Sequence, residues 1–268
     1  MNIILCGTGK ILEDTFMYLI DLNYINIKYI FTDNKNTCFN NYTIIDDNPN
    51  KYINLVDKND YILSIQCKYL FKKDIINTAK KIINLHYAPL PMLRGMYPCS
   101  HAILCGMDFF GVTLHYVIDE NIDNGDILIS NTWNITKYDT AYTIYMDCNK
   151  YSLELIKDKL IDILNNKIEC KKQNTKYSTY YPTDSINFLD LEVNFNKHYK
   201  YVDTFIRSRI FPNKNYPYFL FNSKKYEIVK CYASNIKINK NFIFENNDIL
   251  CQCKNGTIII TEYILSDI

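Results

Sequence analysis

Residues 2–22 read NIILCGTGKILEDTFMYLIDL: a short apolar run, a turn with two glycines, and a segment with helical periodicity. Three more apolar runs follow, IKYIFT at 27–32, YTII at 42–45 and YILSIQ at 61–66. Short apolar runs separated by helical segments are typical of parallel strands that are buried on both faces. The sequence therefore predicts a Rossmann-like α/β fold, a doubly wound, mostly parallel sheet with its ligand crevice at the carboxyl ends of the strands.

The middle of the chain adds a strand pair and a long helix to this pattern. Residues 109–119 and 125–135 are expected to form two strands joined by a tight turn, and an amphipathic helix is expected over about 140–166. Residues 171–185, KKQNTKYSTYYPTDS, are polar and contain a proline, which is typical of a linker. We therefore expect a first domain over residues 1–180.

The remainder of the chain has a different pattern. A helical segment at 199–211 precedes short alternating strands, within 216–221, 225–233 and 242–264, that are separated by Asn and Gly turns. The sequence therefore predicts a small, mostly-β C-terminal domain with one helix over residues 181–268.

Composition argues against several classes of protein. Hydrophobic residues make up 48% of the 268 residues and charged residues 22%, as in ordinary soluble domains. The net charge of +1, without a basic block, does not favour a large nucleic-acid surface. No apolar run approaches the about 20 residues that cross a bilayer, and the N-terminus lacks the basic region of a signal peptide. We expect a cytoplasmic protein with neither nucleic-acid nor membrane partners.

The ten cysteines are scattered, and no C-x-x-C pair occurs among them. Cys251 and Cys253 would share one face of a strand. The spacing therefore does not predict a zinc site, and we expect no metal. Reduced, mostly buried thiols are the expected state.

Two scarce glycines, Gly7 and Gly9, follow the first predicted strand. A G-x-G turn at this place is a weak signal for phosphate or dinucleotide binding, because the third glycine is missing and no convincing acidic residue ends the second strand. A simple tight turn into the helix explains the two residues equally well.

The segment INLHYAPLPMLRGMYP, residues 83–98, carries the first candidate site. Period-two spacing places Asn84 and His86 on one side of a strand end, where an amide and an imidazole can stabilise an oxyanion together. Two prolines and Gly95 shape the loop that follows. A structural histidine remains an alternative for His86, and it is the only interpretation given to the remaining histidines, His101, His115 and His198.

The turn DENIDNGD supplies Asp119, Asp123 and Asp126. An aspartate here could hold His86 in one tautomer and stabilise its protonated form. Taken alone, the turn would be a solvated hairpin tip.

Together, NLHYAPLPMLRGMYP (84–98) and GVTLHYVIDENIDNGDILIS (111–130) resemble the N10-formyltetrahydrofolate-dependent formyltransferases. That family includes methionyl-tRNA formyltransferase, glycinamide ribonucleotide formyltransferase and sugar-nucleotide N-formyltransferases. Its pattern is Asn-x-His, a Pro-containing loop that ends in Arg-Gly, then Gly-Val-Thr-x-His and an Asp-x-Gly turn. The resemblance spans most of the chain and is strongest over residues 84–129.

The resemblance implies that Asn84, His86 and Asp123 form a catalytic trio. The acidic turn is one residue longer than usual, so Asp119 could be the counterpart; the Asn-Gly-Asp that follows favours Asp123. It further implies N10-formyltetrahydrofolate as co-substrate, bound by two groups of residues: Gln66, Cys67, Lys68 and Tyr69, and Ile118, Asp119 and Glu120. A core aromatic role is an alternative for Tyr69.

The loop RGMYP is similar to that of enzymes that formylate dTDP-linked amino-dideoxysugars for O-antigen or related glycans. The resemblance thus implies a dTDP-amino sugar as partner and a homodimer. The residues expected to bind this substrate are Thr8, Gly9, Lys10, Arg94, Gly95 and Tyr97, with Arg94 shaping the loop or contacting phosphate. Arg207 and Arg209 are expected to brace the C-terminal domain. Methionyl-tRNA formyltransferase and a non-catalytic nucleotide- or folate-binding homologue stay open as alternatives.

Overall fold

The computed structural model describes residues 1–34, 37–212 and 216–267, and the chain forms two compact units. The first unit comprises Met1–Gly95, Gly111–Trp133 and Asp147–Tyr181, and the second comprises Met96–Phe110, Asn134–Met146 and Pro182–Ile268. Residues 96–110 and 134–146, which the sequence assigns to the first domain, thus belong to the second unit. The division into 1–180 and 181–268 stays a prediction.

The helices and strands alternate early in the chain and are mostly strands late in it. The strands are β1 (Asn2–Gly7), β2 (Asn26–Phe31), β3 (Ile44–Ile45), β4 (Tyr61–Ile65), β5 (Lys81–His86), β6 (Arg94–Gly95), β7 (Phe109–Tyr116), β8 (Ile127–Asn134), β9 (Tyr180–Tyr181), β10 (Tyr218–Phe221), β11 (Lys224–Ser234), β12 (Phe242–Glu245), β13 (Asp248–Cys253) and β14 (Gly256–Asp267). The α-helices are α1 (Gly9–Ile20), α2 (Lys73–Thr78), α3 (Pro98–Leu104), α4 (Ala141–Leu164) and α5 (Tyr199–Arg207).

The first unit is built on a sheet of order β3-β2-β1-β4-β5-β7-β8, in which β3, β2, β1, β4 and β5 are parallel and β7 runs antiparallel to β5. The prediction of a doubly wound, mostly parallel sheet is confirmed. Ile3, Ile4 and Leu5 are fully buried, which explains why β1 is apolar without alternation. Gly7 is required at its end, because a Cβ there would lie 1.7 Å from the Ile65 carbonyl oxygen.

The second unit contains an antiparallel sheet of order β10-β11-β14-β13-β12 with α5 packed on it, so the mostly-β prediction is also confirmed. Its core includes Ile206 of the helix and Ile228 and Ile260 of the sheet. Arg207 does brace this unit: its Nε donates to Asp203 at 2.8 Å and its Nη1 to the Asp139 carbonyl at 2.7 Å.

Residues 171–181, predicted as part of a linker, are instead folded into the first unit. Lys171 exchanges two backbone hydrogen bonds of 2.8 Å with Ile127, and β9 pairs in parallel with β6. The Thr179 hydroxyl accepts a 2.8 Å bond from the Leu93 amide. The linker prediction is wrong here because a polar composition does not distinguish a solvated segment from one whose side chains bond to neighbouring backbone.

All ten cysteines are free, and six of them are buried, as expected for reduced thiols. Burial raises the pKa of Cys253 to about 11 and raises that of Cys231 further. No helix in the described part of the chain is long and apolar enough to cross a membrane. Within the same residues, no three or more His, Cys, Asp or Glu side chains are grouped as a metal would require.

Candidate active site

Strand β5 presents Asn84 and His86 on one face, as their spacing predicts. The antiparallel pairing of β5 with β7 places His115 directly opposite Asn84. Because opposite residues of paired strands point to the same face, the Asn84 amide meets the His115 ring, and its Nδ2 lies 3.0 Å from His115 Nε2.

The acidic turn brings Asp123 to the same place. Its Oδ2 accepts a 2.9 Å hydrogen bond from the Gly95 amide and lies 3.5 Å from His86 Nδ1. Its Oδ1 lies 3.4 Å from Asn84 Nδ2 and 3.5 Å from His115 Nε2. We call Asn84, His86, His115 and Asp123 the central cluster; its carboxylate side chain is only 11% exposed.

The central cluster keeps its carboxylate ionised. Burial alone would raise the pKa of Asp123, but the charge of His86, the hydrogen bond and charge of His115, and the Gly95 amide outweigh it and hold the pKa well below the usual aspartate range. An ionised carboxylate beside two imidazoles is suited to orienting them and to stabilising their protonated forms.

Neighbouring groups fix the orientation of each ring and amide. His86 Nε2 donates to the Leu93 carbonyl at 2.9 Å, so its Nδ1 faces Asp123. His115 Nδ1 donates to the Tyr116 carbonyl at 2.9 Å, which turns Nε2 toward Asn84 Nδ2 and the Asp123 carboxylate. The Ser64 hydroxyl donates to Asn84 Oδ1 at 2.6 Å and thereby turns Nδ2 toward the cluster.

His115 and Ser64 belong to this site although the sequence analysis gave neither a functional role. His115 was expected to have only a structural role. Its contact with Asn84 joins two segments that are distant in the sequence, so local patterns do not reveal it. The Gly-Val-Thr-x-His motif was the available signal for His115. Nothing in the local sequence points to Ser64, which lies at the centre of a buried strand.

The two candidate aspartates of the turn are now distinguished. The Asp119 carboxylate accepts hydrogen bonds from the Asn121 amide and side chain, at 2.8 and 3.0 Å, and stays within its own turn. Only Asp123 of the two reaches the central cluster. The neighbouring cofactor candidates lie further out: Ile118 is exposed, and Glu120 is 3.5 Å from Lys72.

A second site lies at the carboxyl ends of β1, β2 and β4, where a small open cavity brings together several predicted ligand residues. It is lined by Gly7, Thr8, Phe31, Thr32, Asp33, Asp46, Asp47, Gln66, Cys67, Lys68 and Tyr69. We call it the Gly7 cavity. The predicted cofactor residues 66–69 therefore line it together with the predicted substrate residue Thr8.

The Gly7 cavity is acidic, and its polar groups bond to one another. Asp33, two residues beyond β2, accepts from Thr8 Oγ1 at 2.9 Å and pairs with Lys68 Nζ at 2.8 Å. The hydrogen bonds from Lys68 and then Thr8 lower the pKa of Asp33. This is the acidic residue at the end of strand two that the sequence analysis did not find. Three carboxylates oppose the binding of a diphosphate here.

The other predicted substrate residues are not among those that line this cavity. Gly9 opens α1, and Lys10 pairs with Asp14 at 2.6 Å on the surface of that helix. Arg94 shapes the loop, because its Nε and Nη2 donate to the Ile122 carbonyl at 2.9 and 2.7 Å. Tyr97 belongs to the second unit, where its ring lies 4.9 Å from that of Phe188.

Gly95 contributes backbone alone. Its φ of +93° favours glycine, and a Cβ would lie 2.2 Å from the Tyr181 carbonyl oxygen. The close contact between β6 and β9 therefore depends on this glycine, and so does the position of the amide that binds Asp123.

Comparison with known proteins agrees with this geometry. Residues 31–159 match the Formyl transferase family. A methionyl-tRNA formyltransferase from Mycoplasma capricolum is 26% identical over 250 residues, which are 85% of this chain and 77% of that protein.

Two solved structures share the whole fold. A sugar 3N-formyl transferase, solved in the presence of dTDP and 5-N-formyl-THF, has a TM-score of 0.82 and 24% identity, covering 98% of both chains. An N-formyltransferase from Helicobacter canadensis, in complex with folinic acid and dTDP-3-aminofucose, has a TM-score of 0.81 and 22% identity, covering 98% of this chain and 99% of that one. The family match includes the central cluster, and the two solved structures share the fold of this chain.

Proposed function

We propose that this protein transfers the formyl group of N10-formyltetrahydrofolate to the amino group of a dTDP-linked amino-dideoxysugar, for O-antigen or related surface glycans. One observation carries the proposal: Asn84 and His86, from one segment of the sequence, both meet the carboxylate of Asp123, from another segment. An amide and an imidazole supply the oxyanion donors that acyl transfer requires, and the carboxylate in contact with them supplies the negative charge that assists proton movement off the attacking amine.

The reaction proceeds through a tetrahedral intermediate. The substrate amine attacks the formyl carbon, a new C–N bond forms, and the carbonyl oxygen becomes an oxyanion. Asn84 Nδ2 and a protonated His86 stabilise that oxygen. This requires His86 to exchange its bond with the Leu93 carbonyl, and Asn84 its 3.4 Å bond with Asp123, for bonds with the intermediate. Asp123 orients His86 and assists removal of the amine proton; the C–N10 bond then breaks and N10 receives a proton.

The co-substrate and its contacts are part of the proposal. Two solved relatives were determined with 5-N-formyl-THF or folinic acid, which are formylated folates. We propose residues 66–69 and 118–120 as the folate contacts, since they belong to the loops beside the central cluster and the Gly7 cavity. The family chemistry requires no metal.

A sugar nucleotide is favoured as acceptor over tRNA. The two whole-chain structural matches carry dTDP or dTDP-3-aminofucose, and the net charge of +1 offers little attraction to a polyanion. The methionyl-tRNA formyltransferases among the sequence relatives keep the second candidate open. A homodimer in the cytoplasm is the state we propose for the sugar enzyme.

The deciding experiment offers the protein N10-formyltetrahydrofolate with a panel of dTDP-3-amino and dTDP-4-amino sugars and weighs the products. The proposal expects the mass of at least one sugar nucleotide to increase by that of one formyl group in place of one hydrogen. Formylation of initiator methionyl-tRNA alone, with binding that weakens steeply in salt, would favour the tRNA enzyme instead. Folate binding without any product would favour a non-catalytic homologue.

A further inference from the structure

The backbone of the acidic turn is held in an unusual conformation at Asp123. Its φ is +49°, in the left-handed region that residues with a side chain rarely adopt. Such a conformation persists only where the surroundings impose it, so the position of the carboxylate depends on whatever restrains the turn.

Side chains from two other segments restrain the carbonyl groups on both sides of Asp123. Arg94 donates twice to the Ile122 carbonyl, which precedes Asp123. Gln173 Nε2 donates to the carbonyls of Asp123 and Gly125, each at 2.8 Å. The two contacts made by Gln173 span the turn. Any rotation of the peptide that follows Asp123 would lengthen or break them.

The Gln173 side chain is used as a donor alone. Its Oε1 is buried and has no hydrogen-bond partner in the described part of the chain, whereas Nε2 makes both bonds. A buried acceptor without a partner is unfavourable. The fold keeps this unpartnered oxygen while both Nε2–H groups of Gln173 point at the turn. We take this to indicate that the role of Gln173 is to bind the carbonyls of the turn.

We propose that Gln173 is a positioning residue for formyl transfer: its amide holds the Asp123 turn so that the carboxylate stays against Gly95, His86 and His115. The expected fall in kcat rests on the proposed function, because it can be measured only if the protein transfers a formyl group. Its structural consequence, the placement of the Asp123 carboxylate, can be measured without any substrate.

The test compares Gln173→Met, which keeps the length of the side chain and removes both donors, with Lys172→Met at the exposed neighbouring position. Misplacing a catalytic group by about 1 Å lowers turnover by up to about 10²-fold. We expect kcat of the Gln173→Met protein to fall by about 10- to 100-fold with KM nearly unchanged. The Lys172→Met protein should match the wild type in both constants.

The second readout is the titration of the Asp123 carboxyl, followed by ¹³C NMR and assigned by its loss in Asp123→Asn. We expect Gln173→Met to raise the pKa of Asp123 toward the ordinary aspartate range, because the carboxylate leaves its donors. A merely structural role would lower the unfolding midpoint without this shift. Gln173→Leu, which also lacks the donors and adds no charge, carries the same test if the methionine variant does not fold.

The outcomes separate the inference from the proposed function. If wild type forms product while Gln173→Met has wild-type turnover and Asp123 titration, the positioning role is wrong and the function stands. If wild type forms no product with any sugar nucleotide, the function fails, and the NMR titration alone decides whether Gln173 places Asp123.

Discussion

The central cluster and the Gly7 cavity belong to the same sheet, and both join residues from distant segments, yet they differ in burial. In the central cluster, the His115 side chain is 1% exposed and that of Asp123 is 11% exposed. In the Gly7 cavity, the paired side chains of Lys68 and Asp33 are 54% and 42% exposed. Since electrostatic interactions strengthen as water is excluded, similar residue types can do chemistry in the first site and contribute little in the second.

The comparison also separates the two kinds of carboxylate. Asp123 is surrounded by an amide hydrogen, two imidazole rings and a carboxamide. Asp33 binds a hydroxyl and an ammonium that solvent can replace. The donors around Asp123 are fixed by strands and by Gly95, whereas those around Asp33 are on loops. Pre-organisation, more than the number of charges, distinguishes the candidate catalytic site.

The largest effect is expected from Asp123→Asn, which removes the negative charge beside His86 and His115 and leaves the size of the side chain unchanged. Turnover should fall by about 10²- to 10⁴-fold, the usual contribution of general acid–base catalysis. Asp119→Asn, four residues earlier in the same turn, is the matched comparison: as a proposed folate contact outside the central cluster it changes KM for the formyl donor and should retain wild-type kcat. The measurement is kcat for formylation of the sugar nucleotide; equal losses in both variants would remove the distinction between the two aspartates.

A smaller effect is expected on stability at low pH. The pKa of Asp123 is lowered by folding, so its stabilising contribution is full above the unfolded-state pKa of about 3.9 and is lost as pH falls through the folded-state value. Between pH 5 and pH 3, wild type should therefore lose free energy of unfolding faster than Asp123→Asn. Urea denaturation at each pH gives the comparison, and parallel curves would contradict the buried ionised carboxylate.

The smallest effect is expected from Lys68→Met in the Gly7 cavity. An exposed ion pair contributes little, so KM for the formyl donor should change by no more than about fivefold and kcat should not change. Steady-state kinetics with varied N10-formyltetrahydrofolate measures both constants. A loss of kcat as large as that of Asp123→Asn would mean that the two sites are not as different as their burial indicates.

Much of this fold can be predicted from the sequence, because its signals are local. The unbroken apolar run at Ile3–Leu5 predicts a buried parallel strand, and the spacing of Asn84 and His86 predicts one shared face. The later alternating strands predict the antiparallel sheet. Spacing alone does not distinguish Asp123 from Asp119 as the catalytic carboxylate, and the resemblance to a family favours Asp123.

The remaining features depend on long-range geometry. His115 meets Asn84 only through the register of β5 and β7, and no local pattern reveals that register. Gln173 lies in a polar segment. Its composition would suit a solvated linker equally well as a segment that hydrogen-bonds to the fold. Arg94 has the chemistry of a phosphate ligand, and in the folded chain its Nε and Nη2 donate to the Ile122 carbonyl. Partners of this kind can be read only from the folded chain.

The most direct measurement is single-turnover formyl transfer by His86→Asn, with folinic acid binding measured on the same protein. If Asn84, His86 and Asp123 act together on the developing oxyanion, the transfer rate falls by about 10²- to 10³-fold while the affinity for folinic acid stays at the wild-type value. A variant that forms product at the wild-type rate would contradict the assignment of the active site.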